Sequence, residues 1–297
     1  MTKRILVTGI HGQLGQELKQ TLAPLGEVIG VGRETMDLTQ PNAIRQAIAQ
    51  AKPDLIVNAA AYTAVDKAET EVELANAINA IAPAIMAQEC QQLGATLLHV
   101  STDYVFDGKK NTPYLEEDSP NPLSVYGKSK LAGEAAIAQA CQSHIILRTA
   151  WVYGTCGKSN FVKTMLRLGK EREEIRVVAD QVGSPTWAPD IARAIAKLAI
   201  DSDKMGEATR GIYHFTNSGV ASWYDFAIAI FEQARQLGFP LKIRQVVPIT
   251  TAEYPTPAKR PAYSVLSGQK ISAILGTHPL YWRDSLRQML EQLASQA

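Results

Sequence analysis

Ile5-Leu6-Val7-Thr8-Gly9-Ile10-His11-Gly12-Gln13-Leu14-Gly15 sets three glycines three residues apart, directly after a short aliphatic run and at the start of an amphipathic one. That order predicts a strand, a tight turn and a helix. A turn in this place lets backbone N–H groups approach a pyrophosphate, and the helix N-terminus adds unpaired donors and the positive end of its dipole. Gly9 would make the turn, Gly12 would admit close approach, and Gly15 would let the helix pack tightly on the strand. A glycine-rich turn with no ligand is the plainer alternative for an isolated motif. The spacing also departs from Gly-x-Gly-x-x-Gly, which points to a related turn rather than to the most familiar dinucleotide fingerprint.

Working outward, short β-branched or aliphatic runs at 28–31, 55–58, 96–101 and 144–148 follow the first at 5–8. Longer amphipathic runs at 14–25, 43–51, 74–93 and 129–140 separate them. Strand and helix in alternation predict βαβ units, and so an α/β fold: a Rossmann-like doubly wound parallel sheet with a smaller α/β substrate-binding lobe. Residues 1–150 are expected to form an NAD(P)-binding Rossmann domain and residues 151–297 mainly the substrate-binding lobe. That lobe carries helices at 161–172, 191–200 and 223–237. Part of 182–215 is expected to return to the first domain, because 211–215 reads as a strand. Two long loops, 102–121 and the proline-rich 250–262, are read as binding loops rather than as linkers.

Composition narrows the function. Among 297 residues, 30 Lys plus Arg against 29 Asp plus Glu leave a net charge of +1, which gives no footprint for nucleic acid or an acidic membrane surface. The apolar run at Ile5 to Val7 ends at Thr8-Gly9, too soon for a secretory core, and no later stretch is long enough to span a bilayer. Cys90, Cys141 and Cys156 lack paired spacing, which disfavours a disulfide framework and structural zinc and suits a reducing cytoplasm. The five histidines show no ligand spacing, so His99 and His144, inside expected strands, default to structural roles. Trp187, Trp223 and Trp282 are expected in the core or at an interface.

Arg33 follows Gly32 at the end of the second expected strand, where a dinucleotide fold places the group that reads the ribose 2′ position. An arginine there suits a 2′-phosphate, so NADPH is expected over NADH, with Glu34 the competing residue that would favour NADH. Asp37-Leu38 and Asn58-Ala59-Ala60-Ala61 fall where the next loops reach the sheet's carboxyl edge. Small alanines there leave room for a cofactor or simply pack tightly. Further along, Tyr126-Gly127-Lys128-Ser129-Lys130 puts a phenol and an ammonium four residues apart, on one face if a helix begins near Tyr126. The ammonium would lower the phenol's pKa and ease proton exchange with a carbonyl. Such pairs recur by chance, but Ser101-Thr102-Asp103 ends the strand just before. Thr102 could bond the substrate oxygen or the phenol, and Asp103 a sugar hydroxyl or the loop as its cap.

Taken together, Gly9 to Gly15, Ser101 to Phe106 and the Tyr126/Lys130 pair resemble the extended short-chain dehydrogenase/reductase family. Further matching segments are Asn58 to Asp66, Arg148 to Tyr153, Asn160-Phe161 and Pro255 to Pro261, and they narrow the resemblance to the branch that reduces dTDP-4-dehydro-β-L-rhamnose to dTDP-β-L-rhamnose. The resemblance implies that Tyr126 delivers a proton to the reduced oxygen, that Lys130 holds the nicotinamide ribose and tunes Tyr126, and that Thr102 adjusts the phenol or orients the substrate. It also implies that Gly12, Gln13, Leu14, Asp37, Leu38, Ala61, Tyr62 and Thr63 line the cofactor, while Thr102, Asp103 and Trp151 contact the nucleotide sugar. Some relatives hold magnesium at a dimer interface. Glu17 is present here, but Ala188-Pro189-Asp190-Ile191 lacks the neighbouring acids, so no metal is expected, although a homodimer fits. An epimerase with tightly held NAD, and a noncatalytic NADP-binding regulatory subunit, are the competing readings.

Overall fold

Strands β1 (Arg4–Thr8), β2 (Glu27–Val31), β3 (Leu55–Asn58), β4 (Thr96–Thr102), β5 (His144–Thr149) and β6 (Gly211–His214) form one sheet in the order β6-β5-β4-β3-β1-β2. Every neighbouring pair is parallel. The protein is represented by a computed structural model that describes residues 2–205 and 209–296. The five expected strands of the first half lie within a residue or two of where the sequence puts them. Because β2 lies on one side of β1 and β3 on the other, the winding reverses at β1/β3. In an open α/β sheet, ligands bind in the crevice outside the carboxyl ends at such a point.

Parallel strands buried on both faces read as near-continuous apolar runs, and these do. On one face Ile5, Val7, Leu55 and Val57 pack against Leu14, Leu18 and Leu22 of helix α1 (Gln13–Leu22). Ile191, Ile195 and Leu198 of the long helix spanning Ala188–Met205 complete that layer. On the other face Leu6, Ile56, Leu97 and Ile146 meet Ile44 and Ile48 of α2 (Pro41–Ala51), Met86 of α3 (Ala82–Leu93) and Ile137 of α4 (Val125–Ala140). Each such side chain contributes about 1.5–3 kcal/mol on burial. The layer around Ile191 and the strand Gly211–His214 both come from the later half of the chain.

A separate core gathers Tyr153, Trp187, Phe226, Ile230, Phe231, Trp282, Leu286 and Met289. It is built on α5 (Phe161–Glu171), a helix over Trp223–Gln236 and one over Trp282–Ser295, beside a parallel pair of strands, Glu174–Val178 with Gln245–Ile249. That strand pair and the last helix are absent from the sequence reading. Side-chain caps fix the helix starts: Asn160 accepts from the Lys163 N–H, and Ser222 forms a capping box with Asp225. The expected helix at 74–93 is broken into Val72–Asn76, a π-helical turn Ala77–Ile81 and Ala82–Leu93. Such π turns cluster at functional sites, and this one carries buried Asn79.

Candidate active site

The glycine turn is shaped for close backbone approach. Gly9 has φ +68°, and the Gly12 N–H donates to its carbonyl at 2.8 Å. A Cβ on Gly15 would stand 2.1 Å from that same carbonyl oxygen, so the helix reaches the turn only without a side chain there. Beside the turn lies a cavity of about 370 Å³ lined by Gly9, Arg33, Asp37, Leu38, Ala61, Tyr62 and Thr63 among others. These are seven of the expected cofactor residues. The Leu14 side chain instead packs in the core, leaving only its backbone for a ligand, and Gln13 Oε1 accepts from Asn160 Nδ2 at 2.8 Å. Arg33 is 84% exposed, with Nε 3.7 Å from Asp37 Oδ2. Glu34, its competitor, lies 3.1 Å from His11 Nε2.

Ser124 caps α4, accepting from the Gly127 N–H at 3.1 Å, so the helix does begin beside Tyr126 and puts Lys130 one turn below it. Tyr126 packs edge-on against Tyr104, 5.4 Å between centroids, and beside Tyr62 of the cavity. The expectation that Lys130 lowers the phenol's pKa does not hold. Burial pushes Tyr126 up to about 12, and the opposing pull comes from a hydrogen bond with Thr102. Lys130 Nζ turns inward, donating to the Val100 carbonyl at 2.8 Å and lying 2.9 Å from His99 Nε2. Burial pulls Lys130 down to about 8.

Thr102 ends β4 and accepts from the Tyr104 N–H at 3.2 Å, while its hydroxyl donates to Asp103 Oδ1 at 3.0 Å. Capping therefore falls to Thr102 rather than to Asp103. Burial raises the Asp103 carboxyl to about 6.

Several polar residues beneath the site escaped sequence reasoning. His99, assigned a structural default, touches both Lys130 and Asn58. Asn79 clamps Tyr62, accepting from its N–H at 2.9 Å and donating to its carbonyl at 3.0 Å, and it also donates to Ser129 Oγ at 3.0 Å. One buried amide thus joins a cavity loop to the helix of Tyr126. The signal for such residues was present as polar side chains inside apolar runs, where a partner is obligatory.

A second cavity, about 330 Å³, is lined by Phe161, Met165, Leu168, Arg176, Trp223, Tyr254 and Arg260 among others. Arg260 grips Asp66 with two bonds, at 3.1 and 2.7 Å, so the segment 58–66 and the loop 250–262 meet across the fold. Trp151 sits in the left-handed region at φ 48°, a costly backbone for a bulky residue, and stacks on Trp223 at 3.5 Å between centroids. One indole face of Trp151 is therefore already covered. Trp187 and Trp282 are buried as expected, whereas Trp223 lines the cavity.

Asp190 is buried and taken: it pairs with Arg193 and accepts from Asn217 Nδ2 and Ser285 Oγ, both at 2.7 Å. Among the described residues no group of three or more His, Cys, Asp or Glu could hold a metal ion.

Comparison with known proteins bears on the whole chain. A family model described as the RmlD substrate binding domain matches residues 3–295. A dTDP-4-dehydrorhamnose reductase of Burkholderia thailandensis is 44% identical over 298 residues, covering 99% of this chain and 100% of the relative. One from Escherichia coli K12 is 43% identical over 97% of each. A solved dTDP-4-dehydrorhamnose reductase from Bacillus anthracis, in complex with NADP, matches with TM-score 0.88 and 38% identity over 98% of this chain and 100% of that one. A UDP-glucose 4-epimerase from Thermus thermophilus in complex with NAD matches with TM-score 0.82 over 99% and 100% of the chains, but at 22% identity it shares the fold alone.

Proposed function

The chain belongs to the RmlD substrate binding domain family, and from that premise we infer that it catalyses the NADPH-dependent reduction of dTDP-4-dehydro-β-L-rhamnose to dTDP-β-L-rhamnose. The observation that carries the reading is the meeting of Tyr126 and Thr102 beside a crevice that begins at a glycine turn. The crevice fits the cofactor: Gly9 to Gly15 offer backbone donors at a helix N-terminus, Ala60 and Ala61 leave space, and the exposed Arg33, paired at 3.7 Å with Asp37, can turn to a 2′-phosphate. Bound there, NADPH supplies the hydride.

The protein's own part is to place the carbonyl and to move a proton. A phenol whose pKa is near 12 keeps its proton at neutral pH, which suits Tyr126 to donate it to the carbonyl oxygen as carbon four receives the hydride. Thr102 orients the phenol, and Lys130 is assigned to the cofactor ribose. In this reading the second cavity takes the nucleotide: Arg176 and Arg260 face its phosphates and the aromatic wall faces its base. Asp103 and Trp151 are assigned to the sugar. The partner is thus a nucleotide sugar rather than a nucleic acid. No helix among the described residues is long and apolar enough to cross a membrane. A cytoplasmic setting and a homodimer belong to the same proposal, the first supported by three free cysteines and the second open to sedimentation.

The experiment is NADPH oxidation by the purified chain against a panel of nucleotide-linked 4-keto sugars. One NADPH consumed per sugar reduced is expected with the dTDP-linked substrate. Epimer formation without net consumption would replace this reading with an epimerase, and cofactor binding without turnover would replace it with a regulatory subunit.

A further inference from the structure

Thr8, Asn58 and His99 occupy matching positions on three adjacent strands: Thr8 pairs in register with Asn58, and Asn58 with His99. All three are buried, and their side chains are joined. The Thr8 hydroxyl donates to Asn58 Oδ1 at 2.6 Å, Asn58 Nδ2 lies 2.9 Å from His99 Nδ1, and His99 Nε2 lies 2.9 Å from Lys130 Nζ. The Ala60 N–H also points at Asn58 Oδ1, at 3.3 Å, which fixes the amide with its oxygen toward Thr8 and its nitrogen toward the ring. One polar rung therefore crosses the sheet from β1 through β3 to β4 and ends on the helix of Tyr126.

Each strand in the rung delivers a loop to the site: Gly9 to Gly15 follow Thr8, Ala59 to Thr63 follow Asn58, and Thr102 lies three residues beyond His99. We propose that His99 is a positioning residue for the reduction: its Nε2, with the Val100 carbonyl, holds the Lys130 amino group in place relative to Tyr126 and the cofactor crevice. The imidazole spans the gap between Asn58 and Lys130, so its two nitrogens have separable tasks. Nδ1 satisfies the sheet, and Nε2 sets the lysine. Burial, and then the Lys130 charge, lower the His99 pKa, so the ring is neutral, with one acceptor and one donor. Nδ1 accepts from Asn58 Nδ2, and Nε2–H is left to donate to Lys130 Nζ in its amine form, which burial favours by pulling the lysine pKa down to about 8. This assignment rests on the reductase reading above.

The two tasks can be tested apart, because an asparagine side chain at this position reaches about as far as Nδ1 and a glutamine about as far as Nε2. His99→Asn preserves the contact with Asn58 alone, and His99→Gln the contact with Lys130. If His99 acts through Lys130, the glutamine variant turns over NADPH at least about tenfold faster than the asparagine variant, with similar thermal midpoints. Equal rates, or a faster asparagine variant, would overturn the proposal.

A second measurement serves if neither variant folds. In protein with ¹⁵N-labelled histidine, the His99 Nε2 resonance should shift on Lys130→Met while Nδ1 moves less. No shift at Nε2 would also overturn it. A wild-type protein that oxidises no NADPH with any keto sugar defeats the reductase reading instead, and the ring-nitrogen shift still reports the contact.

Discussion

Arg148 and Glu134 form a sealed ion pair between β5 and α4, with Nη2 2.6 Å from Oε2 and both side chains almost wholly out of solvent. Arg148 Nε donates to the same carboxylate at 3.0 and 3.1 Å, and Ser101 Oγ donates to it as well. The pair thus ties the end of β4, just before Thr102, to the helix that carries Tyr126 and Lys130. Desolvation makes such a pair a weak source of net stability, yet breaking it strands a buried charge.

Glu134→Gln should therefore destabilise the protein by on the order of 3 kcal/mol, because Arg148 is left charged and half-paired. Urea unfolding monitored by circular dichroism measures this. A change under about 1 kcal/mol, within the range of exposed pairs, would show that water reaches Arg148.

Tyr126→Phe should lower kcat by about a hundredfold or more and leave NADPH affinity within a few-fold, as loss of a general acid does. Stopped-flow oxidation and a fluorescence titration with NADPH separate the two effects. Equal loss in both would place the phenol in cofactor binding instead.

Arg33→Ala should reduce the preference for NADPH over NADH by about tenfold to a hundredfold, the range for losing a charge-assisted phosphate contact. Steady-state kcat/KM with each cofactor is the measurement. An unchanged ratio would mean that Arg33, exposed beside Asp37, never turns to the ribose.

Gly15→Ala should abolish NADPH binding or folding of the turn, since the new methyl would meet the Gly9 carbonyl at 2.1 Å. Differential scanning fluorimetry with and without NADPH reads both outcomes. A variant stabilised by NADPH as strongly as wild type would disprove the tight packing.

Stability should also fall as the solution is acidified, in part through His214. Burial, and then the Arg148 charge, pull its pKa down to about 3. Unfolded histidine titrates near 6.5, so from about pH 6.5 down to about 3 the unfolded chain holds one more proton and acid favours unfolding. His99 acts in the same direction, whereas Asp103, raised to about 6, opposes them below that pH. His214→Gln should flatten the dependence by up to about 1.4 kcal/mol per pH unit in that window. A slope identical to wild type would mean that His214 is protonated in the folded state.

The first half of the fold was legible because parallel, doubly covered strands advertise themselves as apolar runs and glycine punctuates the turn. Tyr126 and Thr102 were legible as neighbours because strand end and helix start bring them together, whereas the Lys130 amino group turns to Val100 and His99. In the second lobe the helices at 161–172 and 223–237 were legible, but the strand pair was not, because Glu174–Val178 and Gln245–Ile249 are stabilised by each other across a long stretch of chain rather than by local pattern. The phenol's acidity was misjudged for a physical reason: sequence shows that Lys130 is a neighbour but not that its amino group turns toward β4, nor that burial, helped by the Asp103 charge, raises the phenol's pKa. His99 and Asn79 were passed over because a lone polar residue in an apolar segment does not disclose its partner.

The bond from Asn160 to Gln13 joins the first turn of α5, whose Phe161 walls the second cavity, to the first residue of α1. On the proposed function NADPH and the nucleotide would share this fastening, and the coupling between their binding free energies would have one value whichever is added first. Titrating NADPH into the protein preloaded with dTDP, and dTDP into the protein preloaded with NADPH, should give the same factor. In Asn160→Ala that factor should shrink toward one, leaving two sites that fill independently.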